Sequence, residues 1–107
     1  MKLTHHGPQD YQSLLMHKEA VRMILADPAL IEKALNTLIR WDTIVDQSSK
    51  PLRDQWMQIL ISQNWRLALE ESDLGNQLRQ ASPMATLLPN SVRLAIIAEV
   101  KALKALR

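Results

Sequence analysis

The sequence predicts an all-α fold, a compact bundle of four to six helices, and three observations predict it. Apolar residues recur at helical spacing along most of the 107-residue chain. There is no Phe and a single Tyr, so any core must be built mainly from Leu, Ile, Ala and Met, which suit helices better than sheets. Only two glycines, Gly7 and Gly75, are available for hairpin turns that need positive φ. With 47% apolar and 22% charged residues the chain falls in the globular range. Its length fits one helical domain, with residues 1–10, which include paired histidines, Gly7 and Pro8, expected to form a flexible leader.

The first helix is expected from about Asp10, where "YQSLLMHKEAVRMIL" sets Leu14, Val21 and Leu25 on one stripe with Met16, Ala20 and Ile24 beside it. It ends at "ADP", because Asp27 is a good N-cap and Pro28 suits the first position of a new helix. The second helix, residues 28–46, carries Ile31, Ala34, Leu35, Leu38, Trp41 and Val45 on one face, and pairs with the first as an N-terminal antiparallel helical hairpin. The polar linker "DQSSK" follows, and Pro51 restarts a helix bearing Leu52, Trp56, Ile59 and Leu60. "NWRLALEESD" reads as a short helix, and Ser72 caps the next one, whose regularity Gly75 weakens. A long C-terminal amphipathic helix over residues 90–106 places Val92, Ile96, Val100 and Leu103 on one face, widened by Leu94 and Ile97.

The same composition excludes much chemistry. Without cysteine there are no disulfides, thiolate zinc sites or cysteine nucleophiles, which is compatible with a cytoplasmic location. No apolar run approaches a membrane span, and the N-terminus lacks the apolar core of a signal peptide, so no membrane partner is expected. Net charge is +2, with six Lys/Arg against six Asp/Glu in residues 1–50 and seven against five in residues 51–107. That surplus is too small and too dispersed for a nucleic-acid footprint, and "SPMATLLPNS" is too long for a helix-turn-helix joint.

No catalytic, cofactor or metal site emerges. Ser82 in "ASPM" lacks flanking glycines and a base, since the histidines His5, His6 and His17 all lie near the other end of the chain. Ser82 and Pro83 therefore read as a corner that ends one helix and redirects the chain. The histidines lack the spacing of a metal site, and His17 reads as a solvated residue on a polar face. Asp42 and Asp46, and the cluster of Glu70, Glu71 and Asp73, read as acidic surfaces that a basic partner could meet. Arg93, Lys101, Lys104 and Arg107 form a basic strip that the helix dipole alone explains. Trp41 and Trp56 belong to the core, whereas Trp65, in the short helix, is the expected interface anchor.

The stretch "LRQASPMATLLPNSVRLAII" resembles a recurring segment of small bacterial antitoxin-like proteins, in which L-R-Q-x-S-P and an aromatic precede a loop and an Arg-bearing helix. The matching residues are Leu78, Arg79, Gln80, Ser82, Pro83, Leu88 and Arg93, and "ADPALIEKALNTLIRW" is similar to the earlier part of those proteins. The resemblance spans about two thirds of the chain. Met84 stands where an aromatic is usual, Thr86 in place of Gly, and Pro89 in place of a Ser or Thr cap, so the resemblance implies a class of role and not a site.

The expected function is a non-enzymatic protein-binding module, an antitoxin or immunity-type inhibitor that neutralises a partner toxin by direct contact. Its anchors would be Trp65, Arg66, Arg79, Gln80 and Arg93, with Arg79 the foremost of the polar groups exposed to the partner. Homodimerisation would be a second way for so small a core to gain burial. A small DNA-binding transcriptional regulator is the alternative from another class.

Overall fold

A computed structural model describes residues 7–106, which form six helices and two short 3-10 turns and, among the described residues, no strand. The first helix, α1, spans Pro8–Ala26. Gly7 enters it at φ +97°, a conformation closed to most side chains, and Pro8 occupies the first turn, where its missing N–H costs nothing. Residues 8–10 are thus helical and not part of a leader, while 1–6 lie outside the described residues. Tyr11, Leu14, Met16, His17, Ala20, Val21 and Ile24 form the buried face of α1. Leu25, expected on the inner stripe, is 65% exposed: it follows Ile24, which is 1% exposed, by about 100° around the helix and so points away from the core.

A tight turn at 27–29 links α1 to the second helix. Asp27 organises it twice over, its carbonyl accepting from Leu30 N–H at 3.1 Å and its carboxylate from Ala29 N–H at 3.3 Å. The second helix, α2, is Leu30–Trp41, starting two residues later than expected and ending five residues earlier. Its carboxyl end unwinds into a turn in which the Thr43 amide and hydroxyl both donate to the Arg40 carbonyl, at 3.2 and 2.7 Å.

Asp46 accepts from the Ser48 amide at 3.2 Å and opens a 3-10 turn, Gln47–Ser49, that leads into α3, Lys50–Ser62, with Pro51 in its first turn. At the end of α3 Gln63 adopts the left-handed conformation, φ 56° and ψ 42°, a position usually given to glycine. Asn64 then caps α4, Trp65–Ala68, by accepting from Leu67 N–H, and Ser72 caps α5, Asp73–Gln80, by accepting from Gly75 N–H at 3.0 Å. A second 3-10 turn, Met84–Leu87, precedes α6, Asn90–Ala105.

α1 is the central element, packed chiefly on α6, α5 and the Met84–Leu87 turn, while α2 packs chiefly on α3. The opening helices α1 and α2 touch only lightly, so the expected hairpin is not the main pairing. The intervening turn leads α2 toward α3, and α1 spends its apolar face on the C-terminal half of the chain. Trp56, Leu38, Leu60, Leu78 and Met84 are fully enclosed at the centre, and Trp56 Nε1 donates to the Leu78 carbonyl at 2.5 Å. That bond satisfies the indole where no water reaches and ties α3 to α5. In α6 Val100 is buried, whereas Leu94 is 56% exposed, so the long final helix packs on α1 and leaves one flank uncovered.

Candidate protein-binding surface

A concave apolar surface forms where α2 ends and α3 begins, and a buried arginine builds it. Arg53, in the first turns of α3, donates from Nε to Asp42 Oδ1 at 3.1 Å and from Nη1 to the Asp46 carbonyl at 3.1 Å and to Ser49 Oγ. Asp42 therefore holds Arg53 through its carboxylate and is not a purely solvated acidic residue, whereas Asp46 contributes its backbone carbonyl and keeps its side chain exposed. The amide and hydroxyl of Ser48, both donating to Asp46, hold that carboxyl below its ordinary range. The sequence carried a signal for Arg53, because it lies three residues before Trp56 on the stripe that ends at Leu60.

Above this clamp lies a hollow of about 240 Å³ lined by Trp41, Val45, Ser49, Arg53, Gln80 and Ala81. Trp41 packs on the core with one side and faces the hollow with another part of its ring, a half-buried position rather than the interior one expected. Val45 is exposed at the rim, and its neighbour Ile44 is 72% exposed. Such a site offers shape and apolar area with a few fixed polar groups, the composition of an anchor seat at a protein interface.

The five residues expected as partner anchors fall on three elements. Gln80, exposed at the end of α5, lines the hollow. Trp65 is half-buried against the core, and Arg66 is exposed beside it on α4. Arg93 is exposed on the first turn of α6. Arg79 is not available to a partner: it is 5% exposed and donates from Nη1 to the Ala68 carbonyl at 3.0 Å and from Nη2 to Asn76 Oδ1 at 2.8 Å. Its long side chain reaches inward to satisfy the end of α4, and burial pulls its pKa down from the usual arginine value.

His17 also belongs inside. It is 1% exposed, its Nδ1 donates to the Ser13 carbonyl at 2.7 Å, and its ring lies 5.7 Å from that of Trp56, tilted by 31°. Donation to a carbonyl places the hydrogen on Nδ1. Burial pushes the pKa of His17 down to about 4, opposed by the Ser13 bond and aided by the positive charge of Arg79. The sequence signal was its position three residues after Leu14 and four before Val21, on the inner stripe itself.

Ser82 performs the structural task expected of the corner, accepting from Met84 N–H at 3.0 Å with its hydroxyl buried. Among the described residues no three His, Asp or Glu side chains are placed to share a metal ion; His5 and His6 lie outside them. No helix of the described chain is long and apolar enough to cross a membrane. Neither the known protein families, nor the curated proteins, nor the solved structures provide a match to this chain.

Proposed function

We propose that this protein is a non-enzymatic binding module, a cytoplasmic antitoxin or immunity-type inhibitor that neutralises a partner toxin by direct contact. The observation that carries the reading is the hollow at Trp41, Val45 and Gln80, a preformed apolar seat with Ile44 projecting beside it. Interfaces concentrate their energy where an anchor side chain enters a pocket of this kind under a polar rim, and Gln80 and Ser49 supply polar groups at its edge. The toxin-directed part of the reading rests on the resemblance of the 78–93 segment to antitoxin-like proteins. In this structure that segment does two jobs. Leu78, Ser82, Pro83 and Leu88 are buried and shape the corner, while Gln80 and Arg93 remain exposed.

The experiment is co-expression with the product of the neighbouring gene. That product is expected to arrest growth alone, to be harmless in the presence of this chain, and to co-purify with it. Val45→Glu, exposed in the free protein but covered by an anchor seated in the hollow, is expected to weaken the complex about tenfold or more while the protein stays folded, because it would bury an unpaired charge. A harmless neighbour that forms no complex would remove the toxin-directed reading. A complex indifferent to Val45→Glu would remove the hollow from it.

A further inference from the structure

We propose that the exposed flank of α6 is a second docking stripe, and that it takes an acidic amphipathic helix of a protein partner. The proposal rests on the protein-binding reading above and names the chemistry of what is bound. Arg93, Leu94, Ile97, Lys101 and Lys104 recur at spacings of one, three, four and three, so they share about 100° of helix circumference. From Arg93 to Lys104 the stripe is about 16 Å long at the rise of an α-helix. Every one of these residues is exposed, Leu94 at 56% and Ile97 at 39%.

The stripe has a wall. Ile97, Val100, Lys101 and Lys104 of α6 enclose a groove of about 230 Å³ against Pro8, Gln9 and Gln12 of α1. A partner laid along α6 would therefore be bordered on one side by the first turns of α1. Arg93, Lys101 and Lys104 make no ion pair among the described residues, in contrast to Arg53 and Arg22, which are engaged by Asp42 and Glu19. No acidic residue falls within the arc, since Glu99 lies on the opposite flank of α6. Two aliphatic side chains interleaved with three unpaired cations define the complement: apolar residues at helical spacing flanked by Glu or Asp.

Charge decides among the occupants. A second copy of this chain would set Arg93, Lys101 and Lys104 against the same residues in any two-fold pairing, and like charges across an interface are destabilising. A nucleic acid would satisfy the cations through its phosphates, but would leave Ile97, inside the arc, and Leu94, at its edge, facing a polar backbone. An acidic helix satisfies both sets of groups.

The test uses the full chain and a synthetic helical peptide with leucines at helical spacing flanked by glutamates, followed by fluorescence anisotropy. The peptide is expected to bind, to bind more weakly as salt is raised, and to lose about tenfold or more in affinity to the variant K101E/K104E. Its lysine-for-glutamate counterpart is expected not to bind. The inference is overturned by an acidic peptide that does not bind, by binding that ignores K101E/K104E, by a single-stranded oligonucleotide that binds more tightly, or by sedimentation showing a dimer that the double variant dissociates. Failure here leaves the broader reading distinguishable, because the complex with the neighbouring gene product can be assayed on the same K101E/K104E variant and on Val45→Glu separately.

Discussion

His17 and Arg79 show how a polar side chain can be placed at the centre of a small helical protein. The neutral imidazole of His17 fits the interior because its one N–H is spent on Ser13 and its ring lies against Trp56. An unfolded histidine titrates near 6.5, whereas the folded one takes up a proton only at about 4. Above pH 6.5 both states are neutral and folding has its full stability. As the pH falls from 6.5 toward 4 the unfolded chain protonates first, so stability drops, by about 3 kcal/mol across that window. Urea titrations at pH 7 and pH 4.5 are expected to show the loss, and His17→Phe, which keeps a ring beside Trp56, is expected to flatten it. For Arg79 the consequence is different. Arg79→Met removes the donor to the Ala68 carbonyl and is expected to destabilise by about 2–4 kcal/mol in denaturant unfolding, with no loss of partner affinity for the folded protein. Gln80→Ala, at the exposed neighbour, is expected to reverse both outcomes, sparing stability and weakening binding.

At the scale of the elements, helix existence was legible and helix ends were less so. The stripe of Ile31, Ala34, Leu35 and Leu38 identifies α2, but nothing in its period says that the chain leaves the helix after Trp41. That exit depends on Thr43 turning back to Arg40 and on Arg53 drawing in Asp42 and the Asp46 carbonyl from eleven and seven residues away. Local caps were easier to read, and Ser72 and the Ser82–Pro83 corner act through short-range bonds that their residue types announce. Of the surface, the strip on α6 and the exposed Gln80 and Arg93 could be read from the sequence. The hollow could not, because its walls come from α2, α3 and α5 and exist only once those elements are packed. Gly75 illustrates the same limit. Helix propensity alone favours alanine inside α5 by about 1 kcal/mol. In the folded chain, however, a Cβ at Gly75 would overlap the Glu70 carbonyl, a backbone group that cannot rotate away. Gly75→Ala is therefore expected to lower the melting temperature, its net cost exceeding the propensity gain.

The whole molecule is slightly elongated, with principal extents of 41 × 30 × 25 Å. That shape explains why so many large aliphatic side chains, Leu25, Ile39, Ile44, Ile61 and Leu94 among them, remain at the surface. A short chain spread along one axis encloses a thin interior, and Trp56 with its bond to Leu78 is the point where α3, α5 and α1 are held together. Small domains of this kind have total stabilities of only about 5–10 kcal/mol. A substitution in the interior can then unfold the chain before its effect on binding is read. Gln63 gives a way around this. It holds a left-handed backbone at the exposed end of α3, a conformation that costs a residue with a Cβ about 1 kcal/mol. Gln63→Gly is expected to raise the melting temperature by about 1–2 °C, measured by circular dichroism, because the relieved strain is largely offset by the added freedom of the unfolded chain. The strained residue between α3 and α4 thus becomes a practical asset, a background variant that offsets part of the stability lost in the His17 and Arg79 substitutions.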